Sequence, residues 1–316
     1  AIGSWHPSSR ADSSIAAKQS TATGGSAPGS SCMPERRSAR HAGGPGESLT
    51  RWLVSLPPTL FLLVFFLAPA LLMLGASFRE PGDFGGLAPA RQDGQWNLSL
   101  ETYCFFFGDW IYGEIFLRSF LVAAATTLIC LVLAYPLALA IARSAKRHRD
   151  LLVLLVILPF ASNFLIRIYA WIIVLGPADL LYSPFAVIAG MVYVHLPFMI
   201  LPLYTNLEKH DPALLEAAQD LGADTWTRFR RITLPLSLPG IWAGSALVFI
   251  PVLGMFAIPE LLGGTGDILV GNLIKEQFLE SRDWPLGATL SILLTIAVLL
   301  LAGISAWAGR PRRSSP

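Results

Sequence analysis

Charge is what this chain has least of. Only 14% of its 316 residues are Asp, Glu, Lys or Arg, where soluble proteins carry roughly a quarter, and 53% are hydrophobic. That balance excludes an ordinary water-soluble domain and makes lipid the solvent. The net charge is only +2, and the Lys and Arg sit in short clusters at the ends of apolar stretches, which argues against a nucleic-acid partner. Cysteine is also scarce. Cys32, Cys104 and Cys130 show no CxxC spacing and fall in a polar tail, a loop and an apolar run, so neither a disulfide framework nor a zinc site is expected. The histidines, His6, His41, His148, His195 and His210, are scattered, and a metal centre has nothing to build on. A GxxxxGK[ST] phosphate loop is absent, and the polar segments between apolar runs are too short for a nucleotide-binding domain. No cofactor bound by this chain is expected.

What is present is a set of long apolar runs. A membrane-crossing helix needs about 20 mainly apolar residues, and six stretches qualify, approximately 52–78, 119–142, 151–176, 184–205, 238–260 and 286–308. Their only Asp, Glu, Lys or Arg residues are Arg167 and, at the end of the fifth, Glu260. Prolines such as Pro57, Pro58, Pro69, Pro159, Pro197, Pro202 and Pro251 predict kinks, because neighbouring helices can satisfy the carbonyls that they free. Of 23 Lys and Arg, 17 lie in residues 1–51, 143–150, 206–235 and the tail from 310. The positive-inside rule then places both termini in the cytoplasm. The fold class expected is an all-α membrane protein of six helices. Residues 1–48 are rich in Ser, Gly, Ala and Arg without apolar periodicity, and read as a disordered cytoplasmic tail. Residues 49–310 form the membrane domain, with a cytoplasmic segment at 206–235, and 311–316 form a second short tail.

The most informative stretch runs from His210 to Gly240. Asp211 can cap a helix whose first residue is Pro212, and Gly222 suits the left-handed position past its end. A short helix from Pro212 to Leu221 results, with Leu214, Leu215, Ala218 and Leu221 as its apolar set and Glu216 and Asp220 on another face. Asp224 can cap a second short helix, Thr225 to Arg231. One reading is an amphipathic connector lying at the lipid headgroups. The other is a docking element, in which the small Ala217 and Ala218 beside a carboxylate allow another protein to approach closely.

Glu216, Ala217 and Ala218, three residues to Gly222, nine more to Ile232, then Leu234 and Pro235 resemble the EAA motif of permease subunits of binding-protein-dependent ABC importers. The resemblance extends over roughly residues 50–310. Within that superfamily, "LPFASNFLIRIYAW" (Leu158 to Trp171), "LPLYTNLEKHDPALLEAAQDLGA" (Leu201 to Ala223), "AIPELLGG" (Ala257 to Gly264) and "GNLIKEQFLESRDWPLGATLS" (Gly271 to Ser291) are most similar to polyamine (spermidine/putrescine) permeases. The N-terminal tail and the loop from Arg79 to Arg118 depart from that pattern.

The resemblance implies a type I importer permease fold in a bacterial inner membrane and a transport subunit that is not itself an enzyme. It implies two ATP-binding subunits that hold ATP and Mg, a second homologous permease, and a periplasmic or lipid-anchored polyamine-binding protein. It places Glu216, Ala217, Ala218, Asp220 and Gly222 at the ATPase contact, with Ile232, Leu234 and Pro235 joining the turn to the next span. Import of another small solute remains the alternative, since the EAA segment specifies the engine rather than the cargo. An intramembrane enzyme would need paired carboxylates, a Ser/His set or metal-ligand spacing, and the spans offer only Glu260, Arg167 and His195.

For a cationic cargo, the segments outside the basic clusters carry twelve acids against five bases, although the positive-inside bias alone depletes external Lys and Arg. Glu260 ends a long uncharged run beside Gly263 and Gly264, and an ionisable group at such depth faces a pore or a partner. Two roles stay open for Glu260 and Arg167: a mutual structural ion pair, or Glu260 on the cation route with Arg167 stabilising a gate. Phe160, Tyr169, Trp171, Phe256 and Trp284 can hold ammonium groups over their faces or simply anchor at the interfaces. Asp283 beside Trp284 completes the candidate path.

Overall fold

A computed structural model describes residues 55–308, except 83, 90, 93, 94, 97, 265 and 267. The expected tails at 1–48 and 311–316 lie outside the described residues. The chain divides into two units, Ala1–Pro57 and Pro58–Pro316. The described helices belong to the second, apart from the first residues of the helix that begins at Ser55.

The described residues are helical apart from turns, loops and one ladder of two two-residue strands, β1 (Arg91–Gln92) and β2 (Gln95–Trp96). Five helices are long and apolar enough to cross a membrane: α1 (Ser55–Ser77), α3 (Trp110–Arg143), α6 (Pro184–Leu207), α8 (Thr225–Leu253) and α11 (Trp284–Ala308). A short helix, α2 (Glu101–Gly108), precedes α3. Helices α4 (Lys146–Ile157) and α5 (Phe164–Leu175) form a bent pair. Among the described residues there are also three short helices, α7 (Pro212–Asp220), α9 (Ala257–Leu262) and α10 (Val270–Leu279).

Helices α3, α6 and α8 pack against one another and form the core. On α3 the buried residues Ala123, Thr126, Cys130, Ala134, Ala138 and Ile141 recur at steps of three and four, a stripe of mostly small side chains that lets neighbouring backbones approach. On α8, a Cβ added to Gly240 would lie 2.7 Å from Asn206 Cβ, and one at Gly244 2.8 Å from Met199 Sδ. These two glycines set the α6–α8 separation. Helix α6 is 61% buried over its apolar window and α1 0% over its own, so α6 is the centre of the unit, whereas α1 packs on α11 along its second half and buries Ser77 at its end.

Proline explains where the helices depart from regularity. Its ring lacks an N–H and crowds the carbonyl four residues back, and both π-helical turns, Leu63–Leu67 and Phe229–Thr233, end two residues before a proline, Pro69 and Pro235. At Pro159 the effect is larger than a kink. A 3-10 turn at Leu158–Ala161 is followed by extended backbone at Ser162, and Asn163 starts α5 by accepting from Leu165 N at 2.8 Å. The two halves meet at 91°, so the expected continuous helix 151–176 is two helices with a break between them.

The expected span 238–260 is corrected as well. Helix α8 stops at Leu253, and Glu260 lies in the separate helix α9. Pro251 and Gly254 supply the break, and α9 folds back on α6, where a Cβ at Gly190 would meet Leu262 Cδ1 at 2.5 Å. The second expected helix of the cytoplasmic segment also does not end at Arg231, because it continues through the π turn into α8. Pro235 marks that irregularity and does not open a new helix.

Candidate functional site

Two groups of residues stand at opposite ends of α6, which has 24 residues and is therefore about 36 Å long. Its C-terminus leads into α7, and its N-terminus lies beside α9 and α10.

Helix α7 is built by local rules. Asp211 accepts from Ala213 N at 3.0 Å, Pro212 occupies the first position, and Gly222 comes after the helix at φ +80°, with its N–H donating to Gln219 O at 2.9 Å. Nothing lies within 4 Å of a Cβ built at Gly222, so glycine is required there by backbone conformation and not by space. Asp224 then accepts from Trp226 N at 3.2 Å. A hydrogen bond from Thr227, then those from backbone N–H groups, holds the Asp224 carboxyl below the ordinary aspartate range. Arg228 joins the two helices through Gln219 Oε1 at 2.8 Å and Thr225 Oγ1 at 3.3 Å.

Glu216, Ala217 and Asp220 are exposed, and Ala218 is half-buried. Glu216 forms no hydrogen bond or ion pair among the described residues. The apolar side of α7 is only partly covered. Leu215 and Ile232 line a crevice of about 430 Å³ with Arg149, Glu208 and Thr233, whereas Leu221 is 88% exposed. Of the expected connecting residues, Ile232 touches that crevice, while Leu234 and Pro235 belong to the wall of α8. An Arg149–Glu208 ion pair of 2.9 Å ties the C-terminal end of α6, just before α7, to the start of α4.

The other site is a cleft of about 860 Å³ between α9 and α10, lined by Tyr182, Glu260, Gly263, Gly264, Asn272, Lys275, Glu276 and Glu280, with Pro259 and Ile268. Its floor is fixed by a close backbone approach. A Cβ at Gly271 would lie 2.8 Å from the carbonyl oxygens of both Gly254 and Met255, and Asn272 Nδ2 donates to Phe256 O at 3.0 Å. Lys275, four residues beyond Gly271 and so on the same face, reaches Glu260 Oε1 at 2.7 Å and Glu280 Oε1 at 3.4 Å. The hydrogen bond to Glu260, and then that to Glu280, raises the Lys275 pKa above its ordinary value. Three carboxylates against one ammonium leave the cleft negative, which attracts cations.

Glu260 is thus paired with Lys275, and an ion pair between Glu260 and Arg167 is not formed. Arg167 is half-buried with its guanidinium 5.9 Å from the Phe160 ring centroid and with Nε unpartnered. Of the other expected path residues, Tyr169 is 53% exposed and Trp171 packs edge-on against Tyr193 at 5.8 Å. Asp283 caps α11 by accepting from Leu286 N at 3.1 Å. Trp284 lines a separate apolar groove with Leu71, Leu72 and Phe278. Only Glu260 among the six lies on the acidic cleft. Sequence reasoning missed Tyr182 and Asn272, and counted Lys275, Glu276 and Glu280 only among the external charges, without grouping them with Glu260. The Lys275, Glu276 and Glu280 cluster on one short polar segment was the signal available, but its relation to Glu260 is tertiary.

Residues 134–310 match the family model "Binding-protein-dependent transport system inner membrane component". The chain is 42% identical over 260 residues to the spermidine/putrescine transport system permease protein PotB of Haemophilus influenzae, covering 76% of this chain and 87% of that protein. To PotB of Escherichia coli it is 41% identical, over 76% and 91%. Among solved structures, a bacterial alginate ABC transporter in complex with alginate pentasaccharide-bound periplasmic protein is similar in fold, with a TM-score of 0.64 at 16% identity over 84% of this chain and 95% of that one. This chain belongs to the family of binding-protein-dependent transport system inner membrane components, and is a multi-pass transport subunit of the bacterial inner membrane.

Proposed function

We propose that this chain is the permease subunit of an ATP-driven importer of polyamines, spermidine or putrescine in class. The observation that carries the cargo class is the 41–42% identity, over three quarters of the chain, to permeases named for those solutes. The negative cleft at Glu260, Glu276 and Glu280 agrees with a cationic cargo.

In this reading the bent pair is one crossing, giving six spans with both termini in the cytoplasm. The α7 end faces the cytoplasm and the cleft faces outward. Two separate ATPase subunits bind ATP and Mg, and each permease docks into one of them through its α7. Glu216 and the Ala217/Ala218 surface meet the ATPase groove, and Asp220 and Gly222 shape the exit from it. The continuous helix from Thr225 to Leu253 gives the turn a rigid lever into the membrane, so that ATP-driven closure of the ATPases tilts α8 and, through Gly240 and Gly244, α6. A second, homologous permease completes the pathway, and an external polyamine-binding protein delivers cargo. Arg167, Tyr169, Trp171, Asp283 and Trp284 are left as path candidates off the cleft.

The test is ATP-dependent accumulation of labelled spermidine and putrescine in vesicles carrying the assembled complex, with sugars and inorganic anions as controls. Polyamine accumulation that vanishes without ATP is expected. Accumulation of another solute in its place would overturn the cargo assignment while leaving the permease assignment standing.

A further inference from the structure

Lys275 is the one basic side chain among the described residues lining the acidic cleft, and it sits between Glu260 and Glu280 at 2.7 and 3.4 Å. Its side chain is 23% exposed, against 43% for Glu260 and 64% for Glu280, so its stem is the most covered of the three side chains. Glu276 lines the same cleft and forms no ion pair among the described residues. The backbone under the lysine is fixed by the approach of Gly271 to the Gly254 and Met255 carbonyls. The four-carbon stem above it is intrinsically flexible.

We propose that Lys275 is a resident substitute for a cargo ammonium, which holds Glu260 and Glu280 until a polyamine displaces it, and so sets the cleft's affinity and its preference for polyamines over monoamines. The proposal rests on the polyamine reading of the cleft. A primary ammonium on an alkyl stem is chemically the end of an aminoalkyl cargo, so exchange replaces like with like. A monoamine that displaces the lysine gains nothing net. A di- or triamine also reaches Glu276, and the second contact is made at the high effective concentration of a linked group. Because each exchange breaks an existing ion pair, binding stays weak enough for cargo to leave, which transport requires of any intermediate site.

The measurement is equilibrium binding of labelled spermidine to the assembled permease–ATPase complex in lipid nanodiscs, with butylamine as competitor. Lys275→Met frees Glu260 and Glu280, so spermidine is expected to bind about tenfold tighter and butylamine, ineffective on the wild type, to compete. Lys275→Arg grips both carboxylates through a planar fork and is expected to weaken spermidine binding several-fold. Unchanged affinities in both assembled variants would overturn the proposal. Should Lys275→Met fail to assemble, wild-type affinity in Lys275→Arg overturns it alone. Polyamine uptake with lysine-insensitive binding removes this inference only, whereas a wild-type complex that imports a different solute and no polyamine removes the cargo reading and this inference together.

Discussion

The two ends of α6 solve opposite problems. At the α7 end Glu216 has no partner among the described residues and Leu221 stands almost fully exposed, which agrees with the docking role proposed for it. At the α9–α10 end Glu260 is already paired by Lys275 at 2.7 Å, which agrees with the exchange site proposed there. The carboxylates share a chemistry and differ in whether the chain supplies the counter-charge.

The largest expected effect is at the unpaired end. Glu216→Lys reverses charge at the proposed contact, and should leave the chain in the membrane while lowering ATPase retention on purified membranes and transport at least tenfold. Wild-type retention would show that α7 is only an interfacial connector. Gly271→Ala attacks the other end. Its Cβ would meet two backbone oxygens at 2.8 Å, neither of which can swing away, and overpacking of this kind costs about 1–3 kcal/mol. Reduced thermal stability of the purified complex, with α7 still binding the ATPase, is the expected result.

Glu260→Gln keeps shape and removes charge. It should lower labelled spermidine uptake several-fold at normal abundance, and adding Arg167→Gln should not restore it, because those residues do not pair. Rescue by the double change would contradict the geometry. Gly222→Ala should be milder. The open space around Gly222 leaves only the left-handed strain of about 1 kcal/mol, read as a partial loss of substrate-stimulated ATP hydrolysis, and Gly222→Asn should be milder still because Asn tolerates that region. Asp211→Ala removes one cap, at about 1 kcal/mol, and is expected to give the smallest loss in the same assay.

Legibility in the sequence divides along the same line. The α7 cap at Asp211, its Pro212 start and its Gly222 exit are local features, each decided within four residues, and the structure has all three. Apolar length located the helices long enough to cross a membrane, but their ends shifted where proline chemistry decided the outcome. Pro159 turned a continuous run into two helices at 91°, and Pro251 with Gly254 detached Glu260 from α8. Hydropathy is blind to both, since a broken span and an intact one have the same composition. The partner of Glu260 was beyond reach for a different reason. Lys275 lies fifteen residues on, across the connection between α9 and α10, and the packing of α9 on Gly190 and of α10 on Gly254 brings them together.

The central claim is that one chain separates engine contact from cargo contact along α6. It is tested most directly by measuring spermidine uptake and ATPase retention together in vesicles carrying the wild-type, Glu216→Lys or Glu260→Gln complex. The account predicts that Glu216→Lys loses the ATPase and with it all uptake, and that Glu260→Gln keeps the ATPase and loses most uptake. Equal losses of ATPase in both variants, or full uptake in Glu260→Gln, would contradict it.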